Sequence, residues 1–253
     1  MTGSIGTAAL LTGTTFVVVL LLTLGTARGA RKAGLPRWLA PSFAAVMMVW
    51  LGATALVGMS GVLSQWEARP PRWPLVPLTG LATFVGLGST RASRRIIGEV
   101  PPWQPVALQS FRVAVELAFW GLYTEGFAPV QITFEGRNFD ALVGLTAPLA
   151  AAGITSGWIG PRATIAWNVF GLAMLLNAIG TVATSVPGPL HLDWSGAPFT
   201  AIAAWPVVWV PAFLAPIGIF LHVVSFRQAL AGLATRGGDP DAIEHRPAND
   251  DSR

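Results

Sequence analysis

A chain of 253 residues that is 53% hydrophobic and only 11% charged, with a mean hydropathy of +0.58, is too apolar for a soluble domain of its length. It has no cysteine, which excludes disulfides, thiol catalysis, iron–sulfur clusters and Cys-ligated zinc. The net charge of +4 does not point to nucleic acid, because the basic residues flank apolar runs instead of forming a domain of their own.

Apolar runs predict seven spans, at residues 5–26, 39–63, 75–89, 106–123, 139–159, 163–186 and 200–226. In the first, the positive charges follow the hydrophobic stretch and none precedes it, which reads as an outside-in span and not as a secretory signal. The third is short and holds Pro77, so it requires flanking residues or a locally thinned bilayer. With the N-terminus outside, twelve of the 16 Lys and Arg residues fall in cytoplasmic segments and only Arg69, Arg72 and Arg137 in outer ones; the remaining one, Arg112, lies within a span. Removing either of the two weakest spans, the third or the fourth, would reverse every later loop and destroy this positive-inside bias. Trp38, Trp66, Trp73, Trp103, Trp158 and Trp194 fall near span ends as interfacial anchors. Residues 1–228 are thus expected to form one transmembrane domain, and residues 229–253, rich in Gly, Pro, Asp and Arg, a disordered cytoplasmic tail.

The fourth span carries the chemistry. Gln109, Arg112 and Glu116 stand at i, i+3 and i+7, with Tyr123 in the same sector, so one helix face is polar. A central Arg or acid costs about 2.5 to 3.5 kcal/mol on insertion scales, so this face must turn into the bundle and be compensated. Two readings are open. Arg112 and Glu116 can pair across four residues and fix helix rotation, or the face can line a polar cavity or proton path. Helical rise puts Arg112 about 9 Å from the inner end of its span, level with Asn168 of the sixth and His222 of the seventh, with Asn177 further out. These residues are candidates for one cavity in the cytoplasmic half, although His222 also suits a simple bond to a backbone carbonyl near the interface.

Residues 125–140 mix apolar and charged side chains too evenly for a solvated loop and are expected to pack on the outer mouth of the bundle. There Asn138 or Asp140 can cap the fifth helix and Glu135 can pair with Arg137; alternatively these four form an outer lip for a ligand. Pro206, Pro211 and Pro216 in the last span predict kinks, read as shape or as a gating hinge.

Several familiar chemistries fail. The only lysine, Lys32, lies in the first basic loop, where no retinal Schiff base can form. Gly58-Met-Ser-Gly61 resembles an intramembrane serine-protease motif, but Ser60 lies near the outer end of the second span and His222 near the inner end of the seventh. Bis-histidine haem ligation fails because His191 and His245 lie in an outer loop and the tail, and no metal or phosphate motif is present.

Thr-Phe-Glu-Gly-Arg-Asn-Phe-Asp at 133–140, Trp167-Asn168, Val-Trp-Val-Pro at 208–211 and His-Val-Val-Ser-Phe-Arg at 222–227 resemble segments of a family of uncharacterised bacterial integral membrane proteins of about seven spans. The resemblance covers the chain from about residue 100 and implies a multi-pass protein of the bacterial inner membrane, without an activity. The expectation is therefore an all-α seven-span bundle, N-terminus outside and C-terminus cytoplasmic. Its partners are the bilayer and a small-molecule or lipid ligand, with no cofactor and with oligomeric state open. A transporter-like or ligand-binding role leads; a membrane enzyme acting on a lipid or isoprenoid, or a non-catalytic subunit of a membrane complex, is the alternative.

Overall fold

In the computed structural model, residues 4–194 and 196–237 are described, except for the side chains of 235–237. The protein is all-α, 73% helical, with no strand among the described residues. The helices are α1 (Ile5–Lys32), α2 (Leu39–Met59), α3 (Leu75–Gly88), α4 (Arg91–Gly98), α5 (Trp103–Leu108), α6 (Phe111–Thr124), α7 (Ala141–Thr155), α8 (Pro161–Ser185) and α9 (Ala215–Gly237), the last preceded by a π-helical turn at Val210–Leu214. Four helical segments are long and apolar enough to cross a membrane: Ile5–Lys32, Leu39–Met59, Pro161–Ser185 and Val210–Ala234. Leu75–Gly88 and Ala141–Thr155 are shorter apolar helices. The outward faces carry large apolar side chains, among them Val49, Leu56, Leu78, Leu149 and Leu176, as a protein solvated by lipid requires.

Each apolar segment has a helical counterpart, with three corrections. The fourth is broken into α5 and α6 at Gln109 and Ser110, where Arg112 N bonds to Gln109 O and Val113 N to Ser110 O in tight three-residue turns. The last does not start as a helix at Thr200. Residues 199–208 form a short 3₁₀ turn and irregular backbone in which Phe199, Ile202, Ala203, Val207 and Val208 are buried. Pro206 therefore precedes the helix instead of kinking it. The helix then runs past Phe226 to Gly237, so the first part of the expected tail is ordered; residues 238–253 lie outside the described residues.

Pro216 shows how the irregular start is stabilised. Lacking an N–H, it leaves Ala212 O without its helical donor, and Trp50 Nε1 of α2 supplies a bond at 3.0 Å. Trp209 Nε1 returns the favour to Leu51 O at 3.0 Å, so two indoles staple α2 to the π turn. Gly80 of α3 lies so close to Ala212 that an added Cβ would strike its carbonyl. Gly144, against Val113, and Gly171, against the His222 ring, allow equally close approach of α7 to α6 and of α8 to α9, as small residues in spans should.

The ends of the helices sort into two levels. At one, the start of α1 meets the end of α6: Glu125 accepts from Ser4 N at 2.6 Å and from Thr7 Oγ1 at 2.8 Å. At the other, the end of α1 packs on α4, where Arg95 Nη2 donates to Ala33 O, and Gln228 of α9 donates to Ile97 O and Val100 O. Trp38, Trp103 and Trp158 are exposed, as anchors should be, but Trp66 and Trp73 turn inward against the core.

Candidate functional site

The segment between α6 and α7 does not stay at the mouth of the bundle. Gln131, Ile132, Thr133, Asn138 and Asp140 are buried, while Phe134, Glu135, Arg137 and Phe139 face outward. The chain leaves α6 at Thr124, turns back along it, and delivers Asp140 to the level of Arg112, twelve residues or about 18 Å of helix from Thr124. Irregular backbone at such depth is sustainable only inside protein or beside a cavity, and here it has both. Asn138 Nδ2 donates to Ile132 O at 3.0 Å and Asn138 Oδ1 accepts from Asp140 N at 3.1 Å, which holds the descending chain in shape.

Arg112, 1% exposed, is clamped by this loop. Its Nε donates to Asp140 Oδ2 at 2.6 Å and its Nη2 to Asp140 Oδ1, a two-pronged ion pair; Nη2 also reaches Gly171 O at 3.2 Å. The pairing with Glu116, one of the two readings the sequence left open, is not made. Asp140 stands at the N-cap of α7, yet its carboxylate is spent on Arg112 instead of on the helix N–H groups, so the capping role is also corrected. The negative charge nevertheless sits at the favourable end of the α7 dipole.

Arg112 Nη1 lies 3.0 Å from His222 Nε2, and His222 Nδ1 lies 2.9 Å from Asn168 Oδ1. Guanidinium nitrogens only donate, so Nε2 accepts. Asn168 Nδ2 is spent on Thr164 O and Ser225 Oγ, each at 2.8 Å, so Nδ1 carries the hydrogen. His222 is thereby the neutral Nδ1–H form, braced against the Trp167 ring. The depth argument from helical rise did bring Arg112, Asn168 and His222 together, in one hydrogen-bonded network of which only Arg112 also lines the adjoining cavity. Gln109 Nε2 binds Gly218 O at 3.0 Å beside it.

Glu116, 2% exposed, has a different environment. Oε1 accepts from Asn138 Nδ2 at 2.5 Å, and Oε2 has no partner. On this side lies a cavity of about 480 Å³ between α3, α6, α8 and the π turn. Arg112, Glu116, Asn138 and Asp140 form its polar end, and the rest is overwhelmingly apolar, with Phe111, Phe119, Leu175, Ile179, Leu214 and Ile219. Exposed Gln65, Arg72 and Leu190 lie at its rim, and it reaches the outward-facing Leu78 and Leu176.

Of the other candidates, Tyr123 is half-buried and Asn177 exposed; neither lines the cavity, and Asn177 Nδ2 instead holds Arg137 O at 2.7 Å. Glu135 and Arg137 do not pair: Glu135 accepts from Trp120 Nε1 at 2.7 Å, and the Arg137 guanidinium lies 4.7 Å over the Trp194 ring. Two acceptors escaped sequence reasoning, the backbone carbonyls of Gly171 and Gly218, because nothing in a glycine announces what its carbonyl will bind. The apolar walls escaped it too, because they are indistinguishable in composition from lipid-facing residues. No group of three or more potential metal ligands occurs among the described residues. No protein-family model, curated protein or solved structure matches this chain.

Proposed function

We propose that the chain is a seven-span protein of the bacterial inner membrane, with its N-terminus outside and its C-terminus in the cytoplasm. We further propose that it binds, in a transporter-like manner, a membrane-borne ligand with an apolar body. The topology is supported by the bias of basic residues and by the two levels at which the helix ends meet, Ser4 with Glu125 and Ala33 with Arg95 and α4. The functional reading rests on one observation: an apolar cavity that ends on buried Glu116 and the Arg112–Asp140 pair. Such a shape suits a molecule with a hydrocarbon body and a small polar head, since apolar walls favour burial of the body and convergent polar groups orient the head.

Ala183, half-buried on α8, lines the cavity, so Ala183→Trp fills it without touching the polar network. The protein reconstituted in nanodiscs is expected to bind a brominated alkyl probe, read as bromine retained per protein above that held by empty nanodiscs. Ala183→Trp should weaken that binding by about tenfold or more, the equivalent of one modest apolar contact region lost. Equal binding by the variant, with its elution profile and thermal transition intact, would refute a ligand in this cavity.

A further inference from the structure

We infer that the ligand head received at Glu116 is a cation, a protonated amine, so that the cavity selects lipophilic amines over alcohols and acids of the same length. This deepens the proposed ligand-binding role and rests on it. The inference comes from counting charge and hydrogen bonds at the polar end. Arg112 and Asp140 neutralise each other through two bonds. His222 is neutral, and both its nitrogens are occupied. Asn138 gives its amide hydrogens to Glu116 and Ile132 O. What is left over is the Glu116 carboxyl, with one unpartnered oxygen and, as the cation acting on it, only an Arg112 already bound to Asp140.

The groups facing it from every neighbouring element offer no uncommitted cation. On α6 itself Arg112 is committed; at the head of α7 Asp140 is acidic; on α9 His222 lies behind Arg112. Arg72, in the outer loop before α3, is exposed and bonds Gln65 at 2.5 Å. The other unpartnered polar atom on the lining, Trp73 Nε1, is a neutral donor. A buried carboxyl with an unbonded oxygen is costly, and an entering ammonium relieves the cost with a charge-assisted hydrogen bond, whereas an alcohol supplies only a neutral one.

The test uses the full chain in zwitterionic nanodiscs and three probes with the same twelve-carbon chain: a primary amine, an alcohol and a carboxylate. Each competes against the brominated alkyl probe at neutral pH. The expected order is amine, then alcohol, then carboxylate, with the amine favoured about tenfold or more over the alcohol. In Glu116→Gln the amine preference should collapse to about that of the alcohol while alcohol binding stays within about twofold; Glu116→Asp, which keeps the charge, should retain a preference. Partitioning into the bilayer is common to all variants and cancels in these ratios. Equal binding of the three heads, as a carboxyl that simply holds a proton would give, overturns the assignment while leaving the cavity reading intact. An amine preference that survives in Glu116→Gln overturns it as well. Failure of every probe to compete, with Ala183→Trp indistinguishable from the native chain, overturns the cavity reading itself.

Discussion

Arg112 and Glu116 stand one helical turn apart on the same buried face of α6, and the structure treats them in opposite ways. Around Arg112 bonds are plentiful: a two-pronged carboxylate, a histidine and a backbone carbonyl. Around Glu116 one oxygen is bonded, the other is left over, and a cavity adjoins it. The contrast shows how a single polar stripe can hold both a structural device and a site. A charge whose partners are supplied by the protein fixes helices; one whose partner is missing waits for something to bring it.

The largest effect is expected from breaking the saturated half. Arg112→Met leaves Asp140 buried without its partner, an uncompensated charge that costs about 3–5 kcal/mol. The variant should lose its monodisperse elution in mild detergent. Adding Asp140→Leu should restore much of the stability, because removing both members of a buried pair is far less harmful than removing one. A double variant no better than Arg112→Met alone would contradict the pairing.

A smaller effect on the same half comes from Gly171→Ala. Its Cβ would run into the His222 ring, so either the ring or α8 must shift, at about 1–3 kcal/mol. The thermal transition should fall, and Gly180→Ala, which meets nothing within 4 Å on the same helix, provides the control that should not fall.

On the unsaturated half, Glu116→Gln should move the thermal transition little or upward. Removing a buried carboxyl with one unbonded oxygen offsets the loss of its bond, and a glutamine oxygen still accepts from Asn138. A loss of stability comparable with that of Arg112→Met would make Glu116 a second structural anchor and erase the distinction between the two halves.

What the sequence disclosed follows the same division. The long apolar helices, four of them able to cross a membrane, were legible because transfer energy accumulates along the chain and needs no knowledge of neighbours. The polar face of α6 was legible because 3.6-residue periodicity is local, and the level of Asn168 and His222 followed from helical rise alone. The partner of Arg112 was not. Spacing made Glu116 the natural choice, whereas Asp140 arrives on a loop whose buried Thr133, Asn138 and Asp140 alternate irregularly with exposed Phe134, Arg137 and Phe139. Re-entry of a loop is a long-range event without a period. The start of the last helix was misplaced for a related reason, since residues 199–208 are as apolar as a span but are buried by α2 and α6 instead of being wound into helix.

The smallest expected effect separates Glu116 from the carboxylate at the far end of the same helix. Glu125 lies beyond the apolar part of α6. Its slight burial acts to raise its pKa, but hydrogen bonds from Ser4 and Thr7 outweigh that and hold it below the usual carboxylate range. A group whose folded-state pKa is depressed contributes its stability above the unfolded value and loses it as pH falls through the folded one. The tie between α1 and α6 should therefore be intact at neutral pH and loosen only as the solution is taken down through and below the ordinary carboxylate range. Amide protection of Ser4, whose N–H donates to Glu125, reports it directly, and Glu125→Gln should make that protection independent of pH over the same interval. The thermal transition of the whole bundle should scarcely respond, because the bond lies at the exposed edge of the fold. A large global response to Glu125→Gln would mean that the outer end of α6 is as firmly anchored as its Arg112 end, and the helix would then have two fixed points with Glu116 between them.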